Sequence, residues 1–476
     1  MAIDGPKAAD TELDEEDEWQ LYASAGYTST GFIVEDEVLE KDDGPDEIWF
    51  DGDDFDSEGS TVNWDAPPCP APLGIAHVIK IGACDQCLYR IGGRKSDLSG
   101  AVAGAALRKE AYDRDQELSS SLIQEFCPLC ENLFEDIDNI VERVSESLSG
   151  TEYSTIQFGI HLPKDLVQDE DRTRSKYGAP GSYPLKGALV EAIHLRIREV
   201  NQEVVFVKER PDIMVLVDGL TLRVDVDVRP IFLYGRYRKL ARDIPQTRWP
   251  CRACRGRAEN CESCEGSGLQ YPDSVQDLIG EPIRAALSGK NTSFHGMGRE
   301  DIDVRCLGSG RPFVLEVKKP SKRDHSLEEL VKLVNENGSG NVEVDNLTWC
   351  NRSKVNEIKQ FRSEKTYTIR FRVADLIDEQ TVTDAISSLS GVIIDQETPK
   401  RVAHRRAAKT RRRKVSSIDS ILIEGDEVQI TVRCEAGTYV KELIHSDEGR
   451  TSPSVQSAIG SECEVIWLDV EEIHSD

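Results

Sequence analysis

Eight of the chain's 13 cysteines fall into four Cys-x-x-Cys pairs: Cys84/Cys87, Cys127/Cys130, Cys251/Cys254 and Cys261/Cys264. Two residues between thiolates let both sulfurs reach one ion, so two such pairs can close a tetrahedron around zinc. Six residues separate the last two pairs, and Gly266 and Gly268 follow, letting the backbone fold beneath the site. The first two pairs are 39 residues apart, with a helix-compatible stretch, Leu98–Ala111, between them. Met1 to Glu16 is acidic rather than basic-then-apolar, which speaks against a secretory signal. A reducing, cytoplasmic setting is therefore expected, in which paired thiols are metal ligands before they are disulfides. Every ligand would be sulfur and no coordination position stays open, so one or two structural Zn2+ sites are expected rather than a catalytic metal. The isolated Cys69, Cys306, Cys350, Cys434 and Cys463 read as small buried hydrophobes.

Charge is distributed unevenly. The 476 residues carry 87 acids and 58 bases, a formal net charge of −29. Residues 1–66 hold 22 of those acids against Lys7 and Lys41, so only −9 is spread over the rest. Such acidity suits a halophile's hydrated surface. The segment 1–66 also carries eight aromatics, from Trp19 to Trp64, which plain disordered sequence lacks. No run approaches the roughly 18 apolar residues of a membrane span, and no membrane partner is expected. Against this background, residues 398–418 hold nine basic side chains and no acid: Lys400, Arg401, Arg405, Arg406, Lys409, Arg411, Arg412, Arg413 and Lys414. A solvated helix face mixes signs; a one-sign run rich in Arg suits phosphate forks and stacking on bases.

Periodicity predicts an α+β protein. Leu189, Ala192, Ile193, Ile197 and Val200 recur at helical spacing over Leu185–Val200. Ile213–Val217 and Leu222–Val228 read as strands joined through Asp218-Gly219. Ile302–Cys306 and Pro312–Val317 read as strands flanking a Gly308-Ser309-Gly310 turn, and Thr366–Val373 and Val428–Cys434 alternate similarly. A helix is expected from Ser326, spaced as a capping box with Glu329, to near Gly338.

Gly298-Arg299-Glu300-Asp301-Ile302-Asp303 opens two chemical readings. Asp301 or Asp303 with Glu316 and Lys318 could form the Asp…Glu-x-Lys set of a metal-dependent nuclease. Alternatively one ionised Asp acts as a covalent or proton-transfer catalyst beside a cation. A third reading, a non-catalytic zinc-stapled RNA-binding module, uses the cysteines and the basic run and leaves Asp301 idle.

Taken together, three motifs resemble the pseudouridine synthases, specifically the archaeal and eukaryotic tRNA family called Pus-ten. Gly298-Arg299-Glu300-Asp301 is similar to the catalytic Arg-x-Asp loop, Lys365-Thr366-Tyr367 to the Tyr-bearing strand, and Gly437-Thr438-Tyr439-Val440-Lys441-Glu442-Leu443 to the Gly-Thr-Tyr-Ile-Arg/Lys motif. Gly235–Leu240, Ser293 through Phe313 and the segment from Lys400 resemble Pus-ten in particular. The resemblance covers roughly residues 80–476. The acidic extension 1–66 lies outside it, and the cysteine spacing makes 67–150 a zinc-binding helical module; the resemblance implies a THUMP-like RNA-binding domain over 151–228 and a catalytic domain over 229–476. That catalytic domain would have a mixed central sheet and carry the zinc knuckle, 251–264. It further implies a tRNA partner modified in the T loop at U54, U55 or both, with no catalytic cofactor, no membrane and no obligatory protein partner, the chain acting as a monomer.

By the same resemblance Asp301 is the catalyst, Lys441 its basic partner, and Tyr367 stacks on the flipped uracil and can take the C5 proton. Leu443 walls the pocket, and Tyr439, Arg299, Arg401, Arg405 and Arg406 bind the substrate. One departure stands out: related synthases often carry Arg where this chain has Lys441, and an ammonium offers less bidentate geometry.

Overall fold

The computed structural model describes residues 72–475, apart from 93–98, 122–124, 180, 258–260, 376–377 and 404–406. The acidic segment 1–66, Cys69, Arg405 and Arg406 lie outside the described residues. The chain divides into two compact units that meet in sequence between Arg229 and Pro230. No described helix is long and apolar enough to cross a membrane.

The first unit begins with helices Pro72–Lys80, Asp85–Ile91, Gly100–Arg114 and Ile137–Ser147. Strand β1 (Thr155–His161) then leads through helices Lys164–Tyr177 and Leu185–Val200 to β2 (Val205–Phe206), β3 (Ile213–Asp218) and β4 (Val224–Val228). The sheet order is β2-β1-β3-β4, with β1 parallel to β2 and β3, and β4 antiparallel to β3. The expected apolar stripe holds at Leu189, Ile193 and Ile197, which are buried, while Val200 at the helix end is exposed. The Asp218-Gly219 corner closes because Asp218 Oδ1 accepts from the amides of Leu220 and Thr221 and from the Thr221 hydroxyl. One hydrophobic core joins the cysteine-bearing helices to the sheet, from Val78 and Leu88 through Ile140 to Ile156, Ile193 and Val215.

A buried ion pair organises this unit. Arg90, 1% exposed, lies 2.5 Å from Glu170 on helix Lys164–Tyr177. Its guanidinium also donates to the carbonyls of Leu129 and Tyr183, tying both Cys-x-x-Cys segments to the helical layer.

In the second unit β5 (Ile231–Lys239), β6 (Asn291–Gly296), β7 (Arg305–Lys318), β8 (Val342–Cys350), β9 (Lys365–Val373), β10 (Ile393–Glu397), β11 (Thr410–Glu424), β12 (Glu427–Cys434), β13 (Thr451–Ser452) and β14 (Cys463–Ile473) form one sheet. Its order is β13-β10-β11-β12-β9-β14-β7-β5-β8, with β6 paired to β7. The β14/β7 pair is parallel and its neighbours antiparallel, so the sheet is mixed, as expected. Helices Val275–Ala286 and Leu327–Gly338 pack a core around Leu233, Phe313 and Leu315. A second core gathers Ile369, Phe371, Val432 and Val470 with Ile386, Leu443 and Ile459. Ser326 caps its helix, accepting from the Glu329 amide, while the Glu329 carboxylate faces His325 at 3.5 Å, so only half of the expected box forms.

Two sequence expectations fail here. Gly308-Ser309-Gly310 is not a turn between two strands but a bulge inside the single strand β7, whose pairing with β5 jumps from Arg311↔Tyr237 to Cys306↔Lys239. Both glycines have positive φ, and a Cβ would fall 1.9 Å from the Glu471 carbonyl oxygen at Gly308 and 2.7 Å from that of Tyr237 at Gly310. Residues 302–304 are also not strand, because a buried lysine claims the carbonyls of Asp301 and Ile302 that a ladder would use.

Both cysteine quartets fit zinc. In each, four sulfurs lie within 4.8 Å of one another. Zn–S bonds of about 2.3 Å put the corners of a tetrahedron about 3.8 Å apart. The Cys84–Cys130 and Cys254–Cys264 separations are both 3.7 Å, and Cys251–Cys261 is 4.0 Å. Amides of Cys84 and Gly268 point at Cys127 Sγ and Cys264 Sγ, as thiolates require. Of the isolated cysteines, Cys306, Cys434 and Cys463 are buried, while Cys350 is only partly so.

Truncating Arg90 would leave the Glu170 carboxylate in the first unit's core with only Arg174, 3.4 Å away. Arg90→Met is expected to cost about 3–5 kcal/mol in chemical denaturation of that unit; a loss under about 1 kcal/mol would show that Glu170 is adequately held without it.

Candidate active site

The site is built on a buried carboxylate, that of Glu300. Tyr237 and Lys239, both buried on β5, project beneath residues 298–304. The Tyr237 hydroxyl donates to the Glu300 carboxylate at 2.8 Å, and Gln246 Nε2 donates to Tyr237, the Gly298 carbonyl and Glu300. Arg311 on β7 lies 2.8 Å from Glu300, with side-chain exposures of 2% and 0%, and donates to the Met297 carbonyl. Burial works against the Arg311 cation, but the Glu300 charge prevails and pushes its pKa up. Burial, then the Glu300 charge, pushes the Tyr237 phenol up. Lys239 Nζ donates to the carbonyls of Ile244 (2.7 Å), Ile302 (2.8 Å) and Asp301 (3.3 Å), although burial lowers its pKa.

Asp301, next to the sequestered Glu300, points the other way, into a cavity of about 890 Å3. Its Oδ2 accepts from Arg401 Nη1 at 2.9 Å, and Lys441 Nζ lies 3.6 Å away. Lys441 is nearer to Asp303, at 2.8 and 3.0 Å from its two oxygens. Burial raises the Asp303 carboxyl, but the Lys441 hydrogen bond and charge prevail and hold it below the usual range. Arg401 Nε donates at 2.6 Å to Glu442, which is 1% exposed in the first turn of helix Val440–His445. The sequence-based pairing of Asp301 with Lys441 therefore holds only at the longer distance; the direct partner is Arg401, from the basic run.

The corner that delivers Lys441 has its own clamp. Gly437 sits at φ +80°, a conformation side chains disfavour. Gln396, fully buried on β10, accepts from the Tyr439 amide and donates to its carbonyl, both at 2.9 Å. Arg411 lies over the Tyr439 ring and Arg299 over Trp249. Lys365 and Tyr367, two apart on β9, both line the cavity. Burial pushes the Tyr367 phenol up, whereas burial and then the Arg311 charge pull the Lys365 ammonium down to about 8.

Of the sequence-predicted residues, Asp301, Tyr367, Lys441, Tyr439, Arg299 and Arg401 all line this cavity. Leu443 is not among its lining: it is buried in the core that includes Val440, and Val440, Leu468 and Val470 supply the apolar wall. The run at Thr410–Lys414 is strand, not helix, so Arg411 and Arg413 line the cavity while Arg412 and Lys414 are exposed. Trp249, Arg252 and Arg255 bring the cysteine knuckle to the same cavity. Sequence reasoning assigned no role to Lys239, Arg311, Gln246, Gln396 or Glu442. Only the Gly235–Leu240 and Arg311-Pro312-Phe313 similarities signalled the first two. The nuclease set does not assemble: Asp303 pairs with Lys441 while Glu316 faces His295 at 3.6 Å. Among the described residues, the only groupings suited to a metal ion are the two cysteine quartets.

Apart from the buried Glu300–Arg311 pair, eight Arg and Lys side chains line the cavity against two acids, in a chain of the opposite overall sign. A carboxylate between two cations, with Trp249, Tyr367 and Tyr439 in the walls, defines a site for an anionic ligand that carries flat rings. Residues 232–474 match the family described as Pus10, C-terminal. A tRNA pseudouridine synthase Pus10 of Halorubrum lacusprofundi is 35% identical over 401 residues, covering 83% of this chain and 93% of that protein. Its counterpart in Methanothrix thermoacetophila is 40% identical over 352 residues, covering 71% and 74%. The chain belongs to the Pus10 family. Among solved structures, the crystal structure of a Cbf5-Nop10-Gar1 complex is similar at 20% identity and TM-score 0.27, covering 42% of this chain and 45% of that one; so partial a likeness carries no argument.

Lys239→Met removes the donor shared by three carbonyls. Hydrogen exchange at the amides of residues 300–304 is expected to quicken while β9 and β12 stay protected; unchanged exchange would mean the loop is held without Lys239.

Proposed function

We propose that this protein is a cytoplasmic tRNA pseudouridine synthase that isomerises U54, U55 or both in the T loop, with Asp301 as catalyst and no catalytic cofactor. The carrying observation is the Asp301 carboxylate, faced by Arg401 and Lys441 in a cationic cavity that Tyr367 also lines. A stacked base cannot reach such a carboxylate, so the target nucleotide flips into the cavity. The C1′–N1 bond breaks with Asp301 acting on the ribose or the base. The uracil turns, a C5–C1′ bond forms, the C5 proton leaves and N1 gains one. Nothing is added or lost, which suits a site built of charge and shape.

Tyr367 keeps its proton, so its part is to stack on the flipped uracil. Lys365 on the same strand face, neutral in growing fraction above pH 8, is the better acceptor for the C5 proton. Arg299, Arg411 and Arg413 suit the phosphates on either side, with Arg405 and Arg406 following in the same run. The helices and mixed four-stranded sheet over residues 151–228 suit a THUMP-like RNA-binding role. Each quartet would hold structural Zn2+ through four sulfurs, which leaves the ion no open position.

A uridine-containing T-arm transcript incubated without Mg2+ tests the reading. Pseudouridine formation is expected, and Asp301→Asn is expected to abolish it while tRNA affinity stays near wild type; cleavage, or activity retained in Asp301→Asn, would overturn it. The rate is expected to rise as pH climbs through about 8, because the neutral amine is the competent form. Lys365→Met should lose that rise; an unaltered pH profile would return the proton to another group.

A further inference from the structure

Five charged side chains alternate in sign in one chain of ion pairs that runs from buried Glu442 into the cavity: Glu442, Arg401, Asp301, Lys441, Asp303. The two cations are not equivalent. Lys441 spends its short contacts on Asp303 and reaches Asp301 only at 3.6 Å. Arg401 gives its Nε edge to buried Glu442 and its Nη1 to Asp301 at 2.9 Å. A guanidinium is planar, so fixing one edge fixes where the other points. Burial disfavours the Arg401 cation, yet the hydrogen bond and charge of Glu442, with Asp301, raise its pKa.

Resting on the synthase reading above, we infer that Arg401 is the positioning residue that orients Asp301, doing the directional work that Lys441 leaves undone. Its neighbours in the basic run suit a phosphate, but Arg401 is not free to follow one. Leaving Glu442 would abandon a carboxylate that is 1% exposed, and an unpaired buried charge is among the costliest defects a fold can carry. Lys400, one residue earlier, reaches outward to Glu448 instead. The short turn Lys400–Val402 thus belongs to the reaction centre, while Arg411 and Arg413 on β11 remain for the RNA backbone.

The test uses the full chain and a T-arm transcript, with kcat, KM and the salt dependence of tRNA binding measured for R401Q, R401K and R401Q/K441R. R401Q is expected to lose roughly 10²-fold in kcat, as when one directed donor to a reacting centre is removed. Its tRNA affinity and salt slope should stay those of wild type, since no phosphate contact is lost. Adding K441R should recover at least about tenfold of the lost kcat, because a second fork restores direction to Asp301. If R401Q does not fold, R401K keeps a charge on Glu442 and should show the same fall in kcat without a change in binding. The inference is overturned if R401Q keeps kcat and weakens binding with a salt slope lower by about one unit, the mark of a phosphate contact. It is equally overturned if K441R recovers nothing. Absence of pseudouridine with the wild-type chain would instead sink the synthase reading itself.

Discussion

Everything at the candidate site depends on a buried ion pair beneath it. Glu300 and Arg311 are both sealed from water, and a buried charge survives only with its partner and its remaining hydrogen bonds in place. Tyr237, Gln246 and the Met297 carbonyl complete that set, and between them they tie β5, β7 and the loop after β6 into one rigid block. Adjacent carboxylates consequently have opposite fates. Glu300 is a structural anion, and Asp301, one residue later on the opposite side of the chain, is presented to the cavity. Lys239 finishes the arrangement by taking the loop's carbonyls, which stops β7 from extending backward and swallowing Asp301 into the ladder.

The cavity inverts the sign of the chain that builds it. A chain of net charge −29 sets eight cations besides the sealed Arg311 around one pocket, and the heaviest acidic block, residues 1–66, stands outside the described residues. Acidity spread over a surface keeps a protein hydrated at high ionic strength. The same ionic strength screens contacts between exposed charges beyond a few ångströms and weakens phosphate-driven binding steeply. Short, partly buried pairs such as Arg401–Glu442 are screened far less, so orientation in this site is carried by contact geometry rather than by net attraction.

The cysteine knuckle shows how a structural feature acquires a second use. Its sulfurs lie at the spacing a closed tetrahedron requires, which leaves no chemistry to the ion. An ion held there would pin a short loop at four points, and that loop places Trp249, Arg252 and Arg255 in the wall of the cavity.

Much of this was legible in order along the chain. Cys-x-x-Cys spacing, the stripe on Leu185–Val200, alternation over Thr366–Val373 and Val428–Cys434 and the Ser326 cap are local patterns, and each acts through neighbours a few residues away. The resemblance of three short motifs was enough to bring Asp301, Tyr367 and Lys441 to one cavity. Sequence could not say that Gly308 and Gly310 bend a single strand, because the reason is the backbone of Tyr237 and Glu471, far away in the chain. Nor could it distinguish Arg401 from the other bases of its run, or Glu300 from Asp301 beside it. Burial and partners 41, 63 or 100 residues distant decide those roles. The sequence by itself determined which residues could carry charge, sulfur and aromatic faces. Only the tertiary structure decided which charges are sealed and which are offered to a substrate, since the cost of burying an ion depends on what the fold places beside it.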